Sequence, residues 1–265
     1  MAKVIIFGNQ KGGVAKTTST YNVATQLALK GYRVLMVDSD PQASLTIITG
    51  CVPEEYINGY NLTALLYDQD NTVDIHNCII SLQNILPEGS GGTLSLIPCD
   101  IEMASGDLDF VSRPKNSDIL KRVLNRVDDE YDFICIDCLP SLGMISINDI
   151  SASDYIIGCV ETSYQAYRGI GYYKQVIDGL INSYEFETEF LGVIITKTTR
   201  TNDSRDLAEV LASEYNVLGG IPMSVEVTKG EFDGIPVSVR RPSHIAAIEY
   251  SNVADKIIEL IRSKE

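Results

Sequence analysis

Between an apolar run at residues 3–7 and a helical pattern that follows lie Gly8-Asn9-Gln10-Lys11-Gly12-Gly13-Val14-Ala15-Lys16-Thr17-Thr18. Glycines let backbone N–H groups approach an anion, and a helix N-terminus behind them adds a partial positive charge. In that setting Lys16 can neutralise the β- and γ-phosphates of a nucleotide, and the Thr17 hydroxyl can ligate Mg²⁺. The strict phosphate-loop pattern is G-x-x-x-x-G-K-[ST]; this loop departs from it twice, with Gln10 and Ala15 at the glycine positions. Strand, loop, helix and Lys-Thr pair are all in order, which an incidental glycine-rich turn does not supply.

Two acidic segments close later apolar runs. Asp38-Ser39-Asp40-Pro41-Gln42 follows Arg33 to Val37, and Asp137 follows Phe133-Ile134-Cys135-Ile136. Carboxylates at strand ends can hold the waters of Mg²⁺ or orient an attacking water. A turn and helix cap would also suit Asp-x-Asp-Pro. The two histidines, His76 and His244, cannot make a metal site without carboxylate or cysteine help. Six cysteines lack metal-ligand spacing and read as reduced, small apolar residues.

Stepping out from these residues, short apolar strands alternate with helices. Strands are expected at Lys3–Phe7, Arg33–Val37, Thr93–Ile97, Tyr131–Ile136, Tyr155–Val160, Phe190–Thr196 and Val217–Pro222. The first helix buries Val23, Ala24, Leu27 and Ala28 and stops at Gly31. Further helices are expected at Leu62–Tyr67, over residues 115–128 and at His244–Arg262. The last should bury Ile245, Ile248, Val253, Ile257, Ile258 and Ile261. The pattern predicts an α/β fold: a mostly parallel twisted sheet with helices on both faces, in one domain over residues 1–265. No run is long enough for a signal peptide or a membrane span, so a cytoplasmic protein is expected.

Lys11-Gly12-Gly13-Val14-x-Lys16-Thr17-Thr18 resembles the deviant Walker A loop of the ParA/MinD family of ATPases, marked by the extra lysine at Lys11. Val37-Asp38-Ser39-Asp40-Pro41-Gln42 is similar to the family's second loop. Asp137 with Leu139-Pro140-Ser141-Leu142-Gly143 is similar to its Walker B and switch segment, with Cys138 and Leu139 replacing the usual residues. Ser95-Leu96-Ile97-Pro98, Gly192–Thr196 and Gly220-Ile221-Pro222 extend the likeness through nearly the whole chain. The resemblance implies a P-loop fold with ATP and Mg²⁺ as cofactors. Residues Lys11 to Thr18 would bind nucleotide, and Thr196 and Pro222 would lie near the base. Thr17, Asp38 and Asp137 would serve the metal, Asp40 would position water, and Lys16 and Lys11 would stabilise charge. Where the family has glycine this chain has Ala15, which forbids little if that residue is already helical.

The resemblance also implies a homodimer formed with ATP, with Lys11 reaching the partner's phosphates. The Asp-Pro-Gln form at 40–42 and the C-terminal half look most like the small partition ATPases of plasmids and chromosomes. These bind non-specific double-stranded DNA and answer to a ParB-like stimulating partner, which would make the protein nucleoid-associated. The net charge of −15 is uneven: residues 1–50 carry +3, residues 51–190 carry −16 and residues 191–265 carry −2. Only a local patch matters, since charges are screened over a Debye length of about 8–10 Å. Lys197, Arg200, Arg205, Lys229, Arg240 and Arg241 are its candidates. Residues 197–241 nevertheless hold 6 basic and 7 acidic side chains, and Glu226 stands where the family favours a base.

With the first strand at residue 3, no separate DNA-reading domain is expected before the loop. A MinD-like membrane ATPase would need a basic amphipathic tail, whereas residues 256–265 read as the core face of the last helix. A ParA-like ATPase positioning a protein cargo remains an alternative. An iron–sulfur relative of the nitrogenase iron-protein type would need cysteines placed unlike Cys138. A scaffold with a decayed site is opposed by the presence of every charged residue the reaction needs.

Overall fold

The computed structural model describes residues 1–52, 55 and 60–264. The chain runs β1 (Lys3–Gly8), α1 (Lys16–Leu29), β2 (Arg33–Ser39), α2 (Ser44–Ile48), α3 (Leu62–Tyr67), β3 (Ile80–Ser81) and β4 (Thr93–Ile97). It continues through α4 (Gly106–Asp109), α5 (Ile119–Leu124), β5 (Phe133–Cys138), α6 (Met144–Ala152), β6 (Tyr155–Glu161), α7 (Tyr164–Tyr184), β7 (Glu189–Thr198) and α8 (Asn202–Glu214). β8 (Val217–Pro222), α9 (Val225–Asp233), α10 (Val237–Arg240) and α11 (Ile245–Arg262) complete it.

The strands form a sheet in the order β3-β4-β2-β5-β1-β6-β7-β8, and every pairing but β3–β4 is parallel. Parallel strands need long crossovers, and here helices make them, so both sheet faces are covered. Even-numbered β1 positions Val4 and Ile6 enter one core with α3, α5, α6 and α7 residues. Odd-numbered Ile5 and Phe7 enter the other core, with Tyr21, Val23 and Leu27 of α1 and Tyr250 and Val253 of α11. That alternation is why the strands read as unbroken apolar runs rather than as alternating ones.

Register brings the chemistry together. β1 lies between β5 and β6, so chain direction reverses its sideways progress there, and the crevice above such a switch point is where α/β sheets bind ligands. Asp38 of β2 pairs with Asp137 of β5, and Asp137 pairs with Phe7 on its other side. Two carboxylates thus arrive side by side at the strand ends beside the phosphate loop.

Three expectations need correction. Within residues 115–128 only Ile119–Leu124 is α-helical; Lys115 takes a left-handed backbone (φ 51°) and turns flank the helix. In α11, Ile245 and Ile248 are exposed, while Ala246, Ala247, Tyr250 and Ala254 take the core with Val253, Ile257 and Ile261. His244 caps that helix, its Nδ1 accepting from the Ala246 N–H (3.1 Å), so it lies outside the helix rather than within it. The short antiparallel edge strand β3 was not foreseen.

Candidate functional site

The loop after β1 is held from three sides. Gly8 has no side chain because the Tyr173 hydroxyl of α7 occupies the space: a Cβ there would lie 2.1 Å from it. Asn9 is buried; its Nδ2 donates to the Cys159 carbonyl of β6 (2.7 Å) and its Oδ1 accepts from the Lys11 N–H (3.0 Å). From β7, the Thr196 hydroxyl donates to the Val14 carbonyl (3.0 Å) and the Lys197 ammonium to the Gly13 carbonyl (2.6 Å). These bonds occupy the carbonyls of Gly13 and Val14, and the loop's N–H groups at the start of α1 are the donors an anion would use.

Ala15 is not helical. It is the N-cap of α1 with a left-handed backbone, φ 61° and ψ 38°. An L-residue there is strained by roughly 1–2 kcal/mol, and glycine would be at ease. The substitution therefore acts on the backbone conformation, which the methyl group strains.

A cavity of about 800 Å³ opens over the loop. Gly12, Gly13, Ala15, Lys16, Thr17 and Thr18 line it at one end, with Asp40, Gln42 and Pro140. Thr196 and Lys197 line it beside the loop they bond to, and Pro222, Met223 and Val225 continue the wall. The foreseen loop and base residues therefore converge, with Val14 buried behind them. Lys11 is not among the lining residues; its ammonium is paired with Glu161, at the end of β6. That pairing is the main reason the Glu161 carboxyl sits below its ordinary range.

Behind the loop lie three buried carboxylates. Asp38 accepts from the Thr46 hydroxyl and N–H (2.7 Å each), and from the Asp40 N–H (3.2 Å). Burial pushes it up to about 6, against these bonds. Asp137 is raised further by burial and by the charge of Asp38, while Thr17 and Lys16 pull it back. Its Oδ2 is buried without a hydrogen-bond partner. Asp149 of α6 accepts from the Ser39 hydroxyl (2.7 Å) and is raised to about 7, chiefly by burial.

An unpartnered carboxylate oxygen beside a threonine hydroxyl fits Mg²⁺, which takes few protein ligands and keeps waters and phosphate oxygens for the rest. Thr17 would ligate it and Asp137 would hold one of its waters; Asp38, already bonded to α2, would act at longer range. A bound divalent cation reverses the cost of ionising these carboxylates.

The foreseen DNA residues are engaged differently, and Arg205 is exposed on α8. Lys197 folds over the phosphate loop, and Arg200 is exposed beyond β7. Lys229 (3.2 Å), Arg240 (2.8 Å) and Arg241 (3.5 Å) gather around Glu226, and Arg240 also meets Asp233 (3.0 Å). Sequence reasoning missed Glu161 and Glu231. Glu161 had a signal, since it ends a buried strand as Asp137 nearly does. Glu231, which accepts from the Thr18 hydroxyl, had none.

Residues 2–190 match the family model described as an AAA domain. The sporulation initiation inhibitor protein Soj of Bacillus subtilis is 30% identical over 261 residues, covering 97% of this chain and 98% of that protein. The chain belongs to the ParA/MinD family of P-loop ATPases. The chromosome-partitioning ATPase Soj of Treponema pallidum is 28% identical over 97% of this chain and 98% of its own length. A crystal structure of cobyrinic acid a,c-diamide synthase from Mycobacterium smegmatis, with bound ATP analogue and magnesium, superposes with a TM-score of 0.80. It is 27% identical and covers all of this chain and 98% of its own. As a ParA-like ATPase, the chain uses ATP and Mg²⁺. Among the described residues no helix is long and apolar enough to cross a membrane.

Proposed function

We propose that this ParA-like ATPase is a dimerising switch that partitions plasmid or chromosomal DNA, gripping non-specific double-stranded DNA while ATP is bound. The observation that carries the reading is the placement of Lys11. Its ammonium is held by Glu161 and does not line the cavity, which supports a role at a phosphate other than its own. A second cation at a partner's γ-phosphate makes pairing of subunits depend on the triphosphate, since ADP lacks the charge that attracts it.

In hydrolysis of ATP to ADP and phosphate, Asp40 orients the attacking water. Lys16 and the N–H groups of Gly12 and Gly13 stabilise charge on the phosphoryl oxygens. Thr17, and Asp137 through water, would hold Mg²⁺, which would supply charge neutralisation at the phosphates. Release would follow stimulation by a ParB-like partner. The relative named as a chromosome-partitioning ATPase supports the DNA reading. Glu226 works against it, because the cations around it must exchange a carboxylate for a DNA phosphate. A cargo other than DNA is the second reading, favoured by that same neutralised cluster. A membrane surface is disfavoured because the apolar face of α11 is spent on the core.

The test is binding to long non-specific duplex DNA with ATP, with ADP and without nucleotide, across a salt series. Binding confined to ATP and falling steeply with salt is expected. ATP-dependent dimers that ignore DNA at every salt concentration would sink the proposal.

A further inference from the structure

Among the described residues lining the cavity, two are carboxylates: Asp40 beside the phosphate loop, and Glu231 on α9. α9 starts directly after the Pro222–Ser224 wall, and Val225, Thr228 and Glu231 all line the cavity. At i, i+3, i+6 they share one helix face, and they advance about 9 Å along it. At the far end Glu231 accepts a hydrogen bond from Thr18, the third residue of α1. One side of α9 therefore joins the wall assigned to the base with the helix end assigned to the phosphates. A second anchor fixes this spacing: the Tyr21 hydroxyl of α1 donates to the Gly234 carbonyl just beyond α9 (2.8 Å).

In a nucleotide the sugar is the part that links base to α-phosphate, so it must run along this face. Its hydroxyls are donors that lose water on entering, and they need acceptors. Val225 and Val227 offer none from their side chains, the Ser224 hydroxyl already accepts from the Glu226 N–H, and the Thr228 hydroxyl is donor as well as acceptor, whereas a carboxylate is acceptor-only. We propose that Glu231 reads the ribose, accepting from its 2′- or 3′-hydroxyl, so that the site selects ribonucleotides over deoxyribonucleotides. The Thr18 hydroxyl, which donates to Glu231 in this structure, then turns its proton to an α-phosphate oxygen. Each group changes partner and none is left unsatisfied. The α1 N-terminus and Lys16 offset the repulsion between carboxylate and phosphate.

The inference rests on ATP binding alone, and its test contains no DNA. Calorimetric titration of the full chain with ATP, 2′-deoxyATP and 3′-deoxyATP in excess Mg²⁺ would be compared with Glu231→Gln and Glu231→Ala. The native chain should bind ATP about tenfold more tightly than the analogue lacking the hydroxyl it reads. Glu231→Ala should lower ATP affinity to that analogue's level and bring the ratio near one, with Glu231→Gln between. Equal binding of all three nucleotides by the native chain overturns the proposal. So does an alanine variant that loses or gains affinity equally for all three. Unchanged melting temperatures for both variants separate these outcomes from misfolding.

Discussion

Lys16 and the Lys229–Arg240–Arg241 group are both cationic, yet the fold treats them in opposite ways. Lys16 is only 8% exposed and stands close enough to the buried Asp137 to lower its pKa. The other three lie at the surface and share Glu226, with Asp233 added for Arg240. In the low-dielectric crevice a fixed charge acts strongly on whatever enters, whereas at the surface water and salt screen it. A nucleotide site can thus be strong with one lysine, but a DNA face needs several cations and is blunted by a single carboxylate. Lys11 falls between the two, partly exposed and balanced by Glu161 until a phosphate competes for it.

The largest expected effect comes from removing the buried charge. Lys16→Ala should weaken ATP binding by about 100-fold or more, read by calorimetry. A loss under tenfold would erase the contrast with the surface cluster.

Next comes a carboxylate raised by burial and by the nearby charges of Asp107 and Asp40. Asp149 has a folded-state value of about 7, above the ordinary 3.8. Its protonated form is therefore the one the fold favours. That contribution is complete below about pH 4 and is lost as pH rises through about 7. Asp149→Asn should be more stable than the native chain at pH 8, by up to about 4 kcal/mol. The gain should vanish near pH 4, as followed by urea melts at both values.

A smaller change is expected at the surface. Glu226→Gln frees Lys229, Arg240 and Arg241, and should tighten ATP-dependent DNA binding about fivefold and steepen its salt slope by about one unit. If affinity and slope both stay fixed, these arginines do not face DNA. The smallest effect concerns the loop backbone. Ala15→Gly relieves the left-handed strain, offset in part by the greater freedom of glycine when unfolded, leaving a net gain of about 0.5–1 kcal/mol. A drop in melting temperature would show that the left-handed turn is not strained.

Much of this was legible beforehand because it depends on local order along the chain. An apolar β-branched run, glycines, a lysine–threonine pair and a helical pattern specify strand, loop and helix in turn. The bounds of β4 and α3 come out as expected for that reason. The end helix was read less well, since sequence shows which residues are apolar but not which way the helix is rotated. Small Ala246, Ala247 and Ala254 allow close packing against α1, and that contact turns Ile245 and Ile248 outward.

By itself, then, the sequence determined the strand–helix alternation, the phosphate loop and the acidic strand ends. Each is set by neighbours in the chain. Tertiary structure decided the pairing of Lys11 with Glu161, 150 residues away, and of Thr18 with Glu231, 213 residues away. It also decided the left-handed backbone of Ala15, fixed by how loop and helix join, and the neutralising of Arg240 and Arg241 by Glu226. Contacts across such separations depend on strand order and register, which no local pattern encodes.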